Sequence, residues 1–307
     1  MTLLPVFDLD ALGCGEGIDQ LHQACNGAGF FYLVGHGVPP ELMAAAEAQM
    51  HAFFTLPVEQ RMAISLSHSR HHHGYEPLQS QSLEVGTPRD RKEGFLMGNE
   101  LLPEHPHILA GYTNQGPNQW PAELPTFKPA LLAYHQALTA VGIRLMQAMA
   151  ASLGLPEGYF APFCEDPMAV LRLLHYPPQP ANPDPDERGC GAHTDWGCLT
   201  LLWQDDAGGL QVQSQGAWID APLLQGAYIV NIGDMFARWT NGLYQSTPHR
   251  VINRSGRARY SMPFFFEGAP GHPVVALPGC VARGEAPRYA PTTVSDHLAE
   301  MYRLTYA

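Results

Sequence analysis

The sequence holds no apolar run that approaches the roughly 18 residues needed to cross a bilayer. Its opening stretch, MTLLPVFDLD, has no basic segment followed by a long apolar one, so no signal peptide is expected. Six cysteines, at 14, 25, 164, 190, 198 and 280, form no CxxC pair and no regular spacing. That argues against a disulfide framework and for reduced thiols in a cytoplasm. Positive charge is scarce: 17 Lys and Arg face 29 Asp and Glu, leaving −12. A chain this acidic repels phosphate backbones, so nucleic acid is not an expected partner. There is no GxGxxG and no GK[ST], so Gly35-His36-Gly37 is not read as a phosphate loop. Internal repeats are absent. The 28 prolines and 30 glycines are scattered without period, which excludes collagen-like and low-complexity chains.

What remains is an ordinary core-forming composition, with 45% hydrophobic and only 15% charged residues. Helical spacing of apolar residues predicts helices over 18–28, 40–56 and 126–153, with a last one over about 293–305. Short β runs are expected at 3–9 and 30–34, then at 169–176, 198–203, 210–213, 217–220, 227–232, 248–253 and 258–266. Turn-rich segments separate the later ones: PPQPANPDPDERG, DDAGG, SQG and RSG. So many short strands argue for a mainly β sandwich or barrel with flanking helices. Residues 65–125 read as a long irregular segment with one hairpin, and such segments are usually functional or disordered. We expect an N-terminal module over 1–120. The long helix, β-core and C-terminal helix would follow over 121–307, the two parts forming one compact unit.

The strongest chemical signal is His193-Thr194-Asp195 with His249 further along. In an extended segment, side chains at i and i+2 share a face, so His193 and Asp195 can aim into a barrel together. His249 on another strand can close the triangle. Two imidazoles and a carboxylate on one face of a metal leave the other face open, as in non-haem Fe(II) oxygenases. With 15 histidines in the chain the triplet could arise by chance, and a zinc hydrolase could use the same ligands. Arg259 and Ser261 also share a strand face, and arginine suits bidentate recognition of a carboxylate. The plain alternative is a surface arginine beside a core-edge serine. The run His71-His72-His73 is not expected to form a metal site, because successive residues do not converge on one ion. Asp234, in NIGD, reads as a turn or capping residue.

Several stretches, in order, carry a family resemblance. GAHTDWGCLTLL (191–202), NIGDMFARWTNGLYQSTPHRVIN (231–253) and RYSMPFFF (259–266) resemble the 2-oxoglutarate- and Fe(II)-dependent dioxygenases. More narrowly, they resemble the isopenicillin N synthase-like subgroup. LPVFDL (4–9) and ACNGAGFFYLVGHGVPPELM (24–43) look like that subgroup's N-terminal module, and PNQWP (117–121) resembles a segment of its bacterial members. The resemblance implies a double-stranded β-helix, or jelly-roll, core. It implies that His193, Asp195 and His249 hold iron and that Arg259 and Ser261 bind the distal carboxylate of 2-oxoglutarate. Tyr176 matches a tyrosine that often hydrogen-bonds the cosubstrate. Many relatives have Asn-Tyr-Tyr-Pro there, where this chain has Leu174-His175-Tyr176-Pro177. The implied reaction consumes 2-oxoglutarate and O2, releases succinate and CO2, and oxidises a small molecule, with hydroxylation as the default outcome.

Substrate contacts are expected from Glu84 and Lys92 in SLEVGTPRDRKEGF (82–95), from His175 and Trp196, and from Phe264 and Phe266. The plain readings are a solvated Lys92–Glu93 charge pair and core phenylalanines. Two rivals stay open at this point. An isopenicillin N synthase-type oxidase keeps the triad and an Arg-x-Ser pair but dispenses with 2-oxoglutarate. A non-catalytic binding protein would use the cavity alone, without need of three metal ligands. No obligate protein partner is evident.

Overall fold

The computed structural model describes residues 4–84, 86, 88–179 and 188–306. The proline-rich turn expected at 177–189 thus falls mostly outside them. In chain order the elements are β1 (Val6–Asp8), α1 (Leu9–Gly13), α2 (Ile18–Asn26), β2 (Phe30–Val34), α3 (Pro40–Thr55) and α4 (Val58–Met62). Next come β3 (Gly74–Glu76), β4 (Glu93–Met97), α5 (Pro106–Leu109), α6 (Phe127–Ser152), β5 (Met168–Tyr176) and β6 (Cys190–His193). Then follow β7 (Leu199–Gln204), β8 (Leu210–Ser214), β9 (Ala217–Asp220), β10 (Tyr228–Ile232), α7 (Asp234–Trp239) and β11 (His249–Val251). The chain ends with β12 (Arg259–Gly268), β13 (Pro273–Val274), β14 (Thr292–Thr293) and α8 (Val294–Tyr306).

Eight strands form one sheet in the order β1-β2-β10-β7-β12-β5-β4-β3, and four form a smaller one, β6-β11-β8-β9. The N-terminal strands therefore extend the same sheet that carries the later ones. Both faces of the large sheet are apolar, and strand parity divides the work. Phe31 and Leu33 of β2 join the main core with α6, whereas Phe30 and Tyr32 pack with Leu174, Tyr176, Leu210 and Val251 between the sheets. The long helix α6 is buried along its length, from Phe127 to Ser152. Gly142 is where it meets β12: a Cβ there would lie 2.6 Å from the Phe266 ring. This is a mainly β fold with flanking helices around a jelly-roll core. Among the described residues no helix is long and apolar enough to cross a membrane.

The segment 65–125 is less irregular than its composition suggests. β3 pairs with β4, and β4 pairs in turn with β5, so the expected hairpin is the edge of the large sheet. The histidine run within it diverges. His72 stacks on Tyr302, with ring centroids 5.5 Å apart. His73 is buried, with Nδ1 3.4 Å from the Pro117 carbonyl. Burial pulls the His73 pKa down to about 4. A buried histidine that stays neutral gives stability fully present above its unfolded pKa near 6.5, and that stability is lost as pH falls toward 4. The expected loss is about 3 kcal/mol over that window. Urea titrations at pH 7 and pH 4 should show it, and His73→Gln should reduce the difference by about that amount.

Candidate active site

β6 and β11 are antiparallel neighbours with His193 directly opposite His249. That pairing brings the distant histidine to the H-x-D triplet. The two rings lie 4.3 Å apart between centroids, and Asp195 Oδ1 is 3.8 Å from His193 Nε2 and 3.7 Å from His249 Nε2. His193 Nδ1 is 2.8 Å from the Gly191 carbonyl and His249 Nδ1 is 3.2 Å from the Thr247 carbonyl. Only a protonated Nδ1 can donate to a carbonyl, so each neutral ring turns an unprotonated Nε2 toward Asp195. Burial lowers both imidazole pKa values, which keeps the rings neutral and ready for a metal.

The carboxylate is fixed as firmly. Thr200 on β7 and Asn231 on β10 are paired opposite one another in the large sheet. The Thr200 hydroxyl and the Asn231 amide both donate to Asp195 Oδ2, at 2.6 and 2.7 Å. Oδ1 is thereby left for the space between the histidines. Two imidazole nitrogens and one carboxylate oxygen, each held by an outer partner, fit Fe(II) by donor type.

Arg259 is fully buried on β12, opposite Tyr176 of β5. Its Nε donates to the Gly208 carbonyl (2.8 Å), Nη2 to Gln204 Oε1 (3.0 Å) and Nη1 to Ser261 Oγ (3.1 Å). The guanidinium carbon sits 4.7 Å from the centre of the Tyr176 ring. All of these partners are neutral, so a buried cation lies beside the triad with no carboxylate upon it among the described residues. Arg259, Ser261 and Tyr176 line, with the triad, a cavity of about 60 Å³ between the two sheets.

A second cavity, of about 100 Å³, shares His193 and Asp195 with the first, along with Leu83, Arg172 and Phe265. Leu83, Leu96, Val170, Trp196 and Phe265 give it apolar walls, and Gln81, Arg172, Thr194, Glu267 and Tyr302 give it polar ones. Tyr302 belongs to α8, so the C-terminal helix covers this cavity. Its ring packs edge-on against Trp196 at 4.9 Å.

The expected substrate residues divide. Trp196 lines the second cavity and Lys92 lines the first. Lys92 is buried and paired with Asp90, with Cys190 Sγ at 3.6 Å, so it is no solvated partner of Glu93. Glu84 accepts the Ala192 N–H at 3.0 Å and so ties down the strand that carries His193. Three others are corrected by parity. His175 lies on the opposite face of β5 from Tyr176, hydrogen-bonded to Glu93 (2.7 Å) and stacked on Tyr260. Phe264 and Phe266 point away from the cavities into the core under α6, Phe264 edge-on to His135. Truncating either phenylalanine to alanine should cost about 3–5 kcal/mol of stability, read by urea denaturation, without removing a cavity wall.

The residues not anticipated are Arg172, Thr200, Asn231, Phe265, Glu267 and Tyr302. The two on β12 were available from spacing: counting by twos from Arg259 and Ser261 leads to Pro263, Phe265 and Glu267. Asp234 starts α7, taking the Thr194 hydroxyl on Oδ2 and donating its N–H to the Asp195 carbonyl (2.7 Å). It does not join the triad. One further cluster, His105, His107 and Asp166, lies near the surface. There His105 Nδ1 accepts the His107 N–H, so the proton sits on the nitrogen facing Asp166. That suits a hydrogen bond to the carboxylate rather than a metal ligand.

Comparison with known proteins agrees with this geometry. Residues 166–268 match the model of the 2OG-Fe(II) oxygenase superfamily. Residues 4–123 match that of the non-haem dioxygenase in morphine synthesis N-terminal region. The chain is 42% identical to the 2-oxoglutarate-Fe(II) type oxidoreductase hxnY of Emericella nidulans, over 98% of this chain and 88% of that one. It is 41% identical to the 2-oxoglutarate-dependent dioxygenase citB of Monascus ruber, over 82% and 78%. Among solved structures it is similar to a full-length Neurospora crassa protein in complex with alpha-KG and thymine. That likeness has a TM-score of 0.86 at 29% identity and covers 99% of this chain and 97% of the other. The chain belongs to the 2-oxoglutarate- and Fe(II)-dependent oxygenases, enzymes that work with Fe(II), 2-oxoglutarate and O2.

Proposed function

We propose that this enzyme hydroxylates a small molecule, with His193, Asp195 and His249 holding Fe(II) and Arg259 and Ser261 holding the distal carboxylate of 2-oxoglutarate. The observation that carries the reading is the buried Arg259 guanidinium, whose partners in the fold are all neutral. Buried charges are normally paired, so this one is built to receive an anion. Its place in the same cavity as the triad fits a dicarboxylate that reaches from arginine to metal. Bound together, Fe(II), 2-oxoglutarate and O2 supply the oxidising chemistry, in which the cosubstrate leaves as succinate and CO2.

The protein's own part is placement. Ser261 and Gln204 hold the guanidinium fork in position before the cosubstrate arrives, and the Tyr176 ring lies against it. Lys92 adds a second buried cation to the cavity wall, balanced by Asp90. The second cavity, which shares His193 and Asp195 with the first, would hold the substrate, and its apolar walls exclude water from the reacting bond. The thymine in the Neurospora crassa complex supports a substrate of small size. All six cysteines are unpaired, which supports the reading of a cytoplasmic enzyme.

The test is anaerobic. Fe(II) is added to the apoprotein, 2-oxoglutarate is titrated, and the visible charge-transfer band of the chelate is followed. A saturable band that weakens in Arg259→Ala is expected. Iron binding without a band would overturn the reading in favour of an oxidase that takes all its electrons from a carboxylate-bearing substrate.

A further inference from the structure

His193 and His249 are held by the same local device. Each Nδ1 donates to the carbonyl two residues back, Gly191 at 2.8 Å and Thr247 at 3.2 Å. What stands behind the two carbonyls differs. The Gly191 carbonyl shares its peptide unit with the Ala192 N–H, and that N–H donates to the Glu84 carboxylate at 3.0 Å. The Thr247 carbonyl shares its peptide unit with Pro248, which has no N–H to donate. A carboxylate, a peptide and an imidazole therefore stand in line at His193, and no such line can form through the Thr247–Pro248 peptide. The shorter Nδ1 contact is the one with the carboxylate behind it.

The approach of Glu84 is built into the fold. β6 ends the smaller sheet, so its outward N–H groups take partners from outside that sheet. The segment before β4 supplies two: Asp90 Oδ1 accepts the Gly191 N–H at 2.8 Å, and Glu84 accepts the next N–H along. Gly191 is bare where they meet, since a Cβ there would lie 2.6 Å from Glu84 Cβ. Asp90 is not the carboxylate in line with His193. The N–H it holds shares a peptide unit with the Cys190 carbonyl, and its charge is paired with Lys92. Hydrogen bonds in a chain polarise one another, by about 10–30% per bond. A carboxylate on the N–H end of a peptide makes its carbonyl oxygen a better acceptor, and a better acceptor on Nδ1–H leaves more electron density on Nε2. We infer that Glu84 is a positioning residue of the metal centre, acting through the Gly191–Ala192 peptide to fix the His193 ring and make it the more strongly donating of the two imidazoles. This inference rests on the reading of the triad as the iron site.

The test loads Zn(II), a diamagnetic ion that also accepts His and Asp donors, onto protein carrying ¹⁵N-labelled histidine, and reads both rings by nuclear magnetic resonance. Movement of both Nε2 resonances on adding Zn(II) checks the triad separately. The His249 ring is told apart by its contact with Phe30, 5.3 Å between centroids. In wild type the His193 Nδ1–H proton should lie downfield of the His249 one, the mark of the stronger hydrogen bond. That order needs no variant to fold, and its reversal would overturn the inference. Glu84→Gln keeps an oxygen that can accept the Ala192 N–H and removes the charge. It should move the His193 proton upfield, leave the His249 proton in place and weaken Zn(II) binding by about tenfold, the low end of what outer-shell partners contribute. Glu84→Ala, which also releases the strand, should weaken binding further. An unmoved His193 proton or unchanged Zn(II) affinity in Glu84→Gln would overturn the inference and leave Glu84 a strut for β6. Equal movement of both protons would overturn it too, by showing a general loosening of the site. If both Nε2 resonances respond to Zn(II) while these differences are missing, the triad stands and the role of Glu84 falls. If either fails to respond, both fall.

Discussion

Replacing Arg259 with leucine is expected to weaken 2-oxoglutarate binding by about 10²–10³-fold and leave the apoprotein folded. The magnitude comes from truncating a buried, hydrogen-bonded charge, which costs about 3–4 kcal/mol at about 1.4 kcal/mol per decade. The second half is less usual for so buried a residue. Arg259 is fully buried, and among the described residues no carboxylate is hydrogen-bonded to it. A leucine removes that burden, though it leaves the Gly208 carbonyl and Gln204 Oε1 without their donor. The two effects oppose each other, so the melting temperature should move little. Wild type should gain thermal stability as 2-oxoglutarate is added, following mass action, and the variant should not. Lysine should not rescue binding, because the fork that reaches Gln204 and Ser261 together with an incoming carboxylate is planar and a single ammonium is not. Unchanged cosubstrate affinity in Arg259→Leu would remove the basis of the assignment.

Much of this site could be read from residue order, because its chemistry lies on strands with a period of two. His193 and Asp195, and likewise Arg259 and Ser261, were placed on shared faces by spacing alone. The same rule, carried past Pro263, leads to Phe265 and Glu267. Expecting Phe264 and Phe266 instead favoured the residue type over the parity, and α6 claims both. His175 shows the same failing, since a residue next to Tyr176 on a strand must face the other way. Other features depend on register between strands far apart in sequence. Thr200 and Asn231 meet at Asp195 only because β7 and β10 pair with these residues opposite. Arg172 is held by Glu76 and Gln81 from the segment that read as irregular. No local pattern announces such contacts, because long-range pairing, not local periodicity, creates them.

That outer layer can be ranked against the ligands themselves. Asn231→Leu should lower iron affinity by roughly 10–100-fold, the usual cost of losing an outer-shell partner. Asp195→Ala should cost more than that, because it removes a donor atom and not just its orientation. Thr200 and Asn231 both press on Oδ2, at 2.6 and 2.7 Å, so the carboxylate cannot rotate freely and Oδ1 is presented to the metal at little entropic cost. Removing the Asn231 amide leaves the Thr200 hydroxyl to do this alone. Loss of Asp195 leaves two neutral imidazoles and no negative charge to offset the dication, while Thr200 and Asn231 are left without their acceptor. Competition with a chromogenic chelator measures both affinities on one scale, and iron-dependent thermal stabilisation gives an independent reading. The order wild type, Asn231→Leu, Asp195→Ala should hold in both. If Asp195→Ala retained iron as well as Asn231→Leu, the aspartate would not be a ligand. The three-residue site would then have to be redrawn around the two histidines.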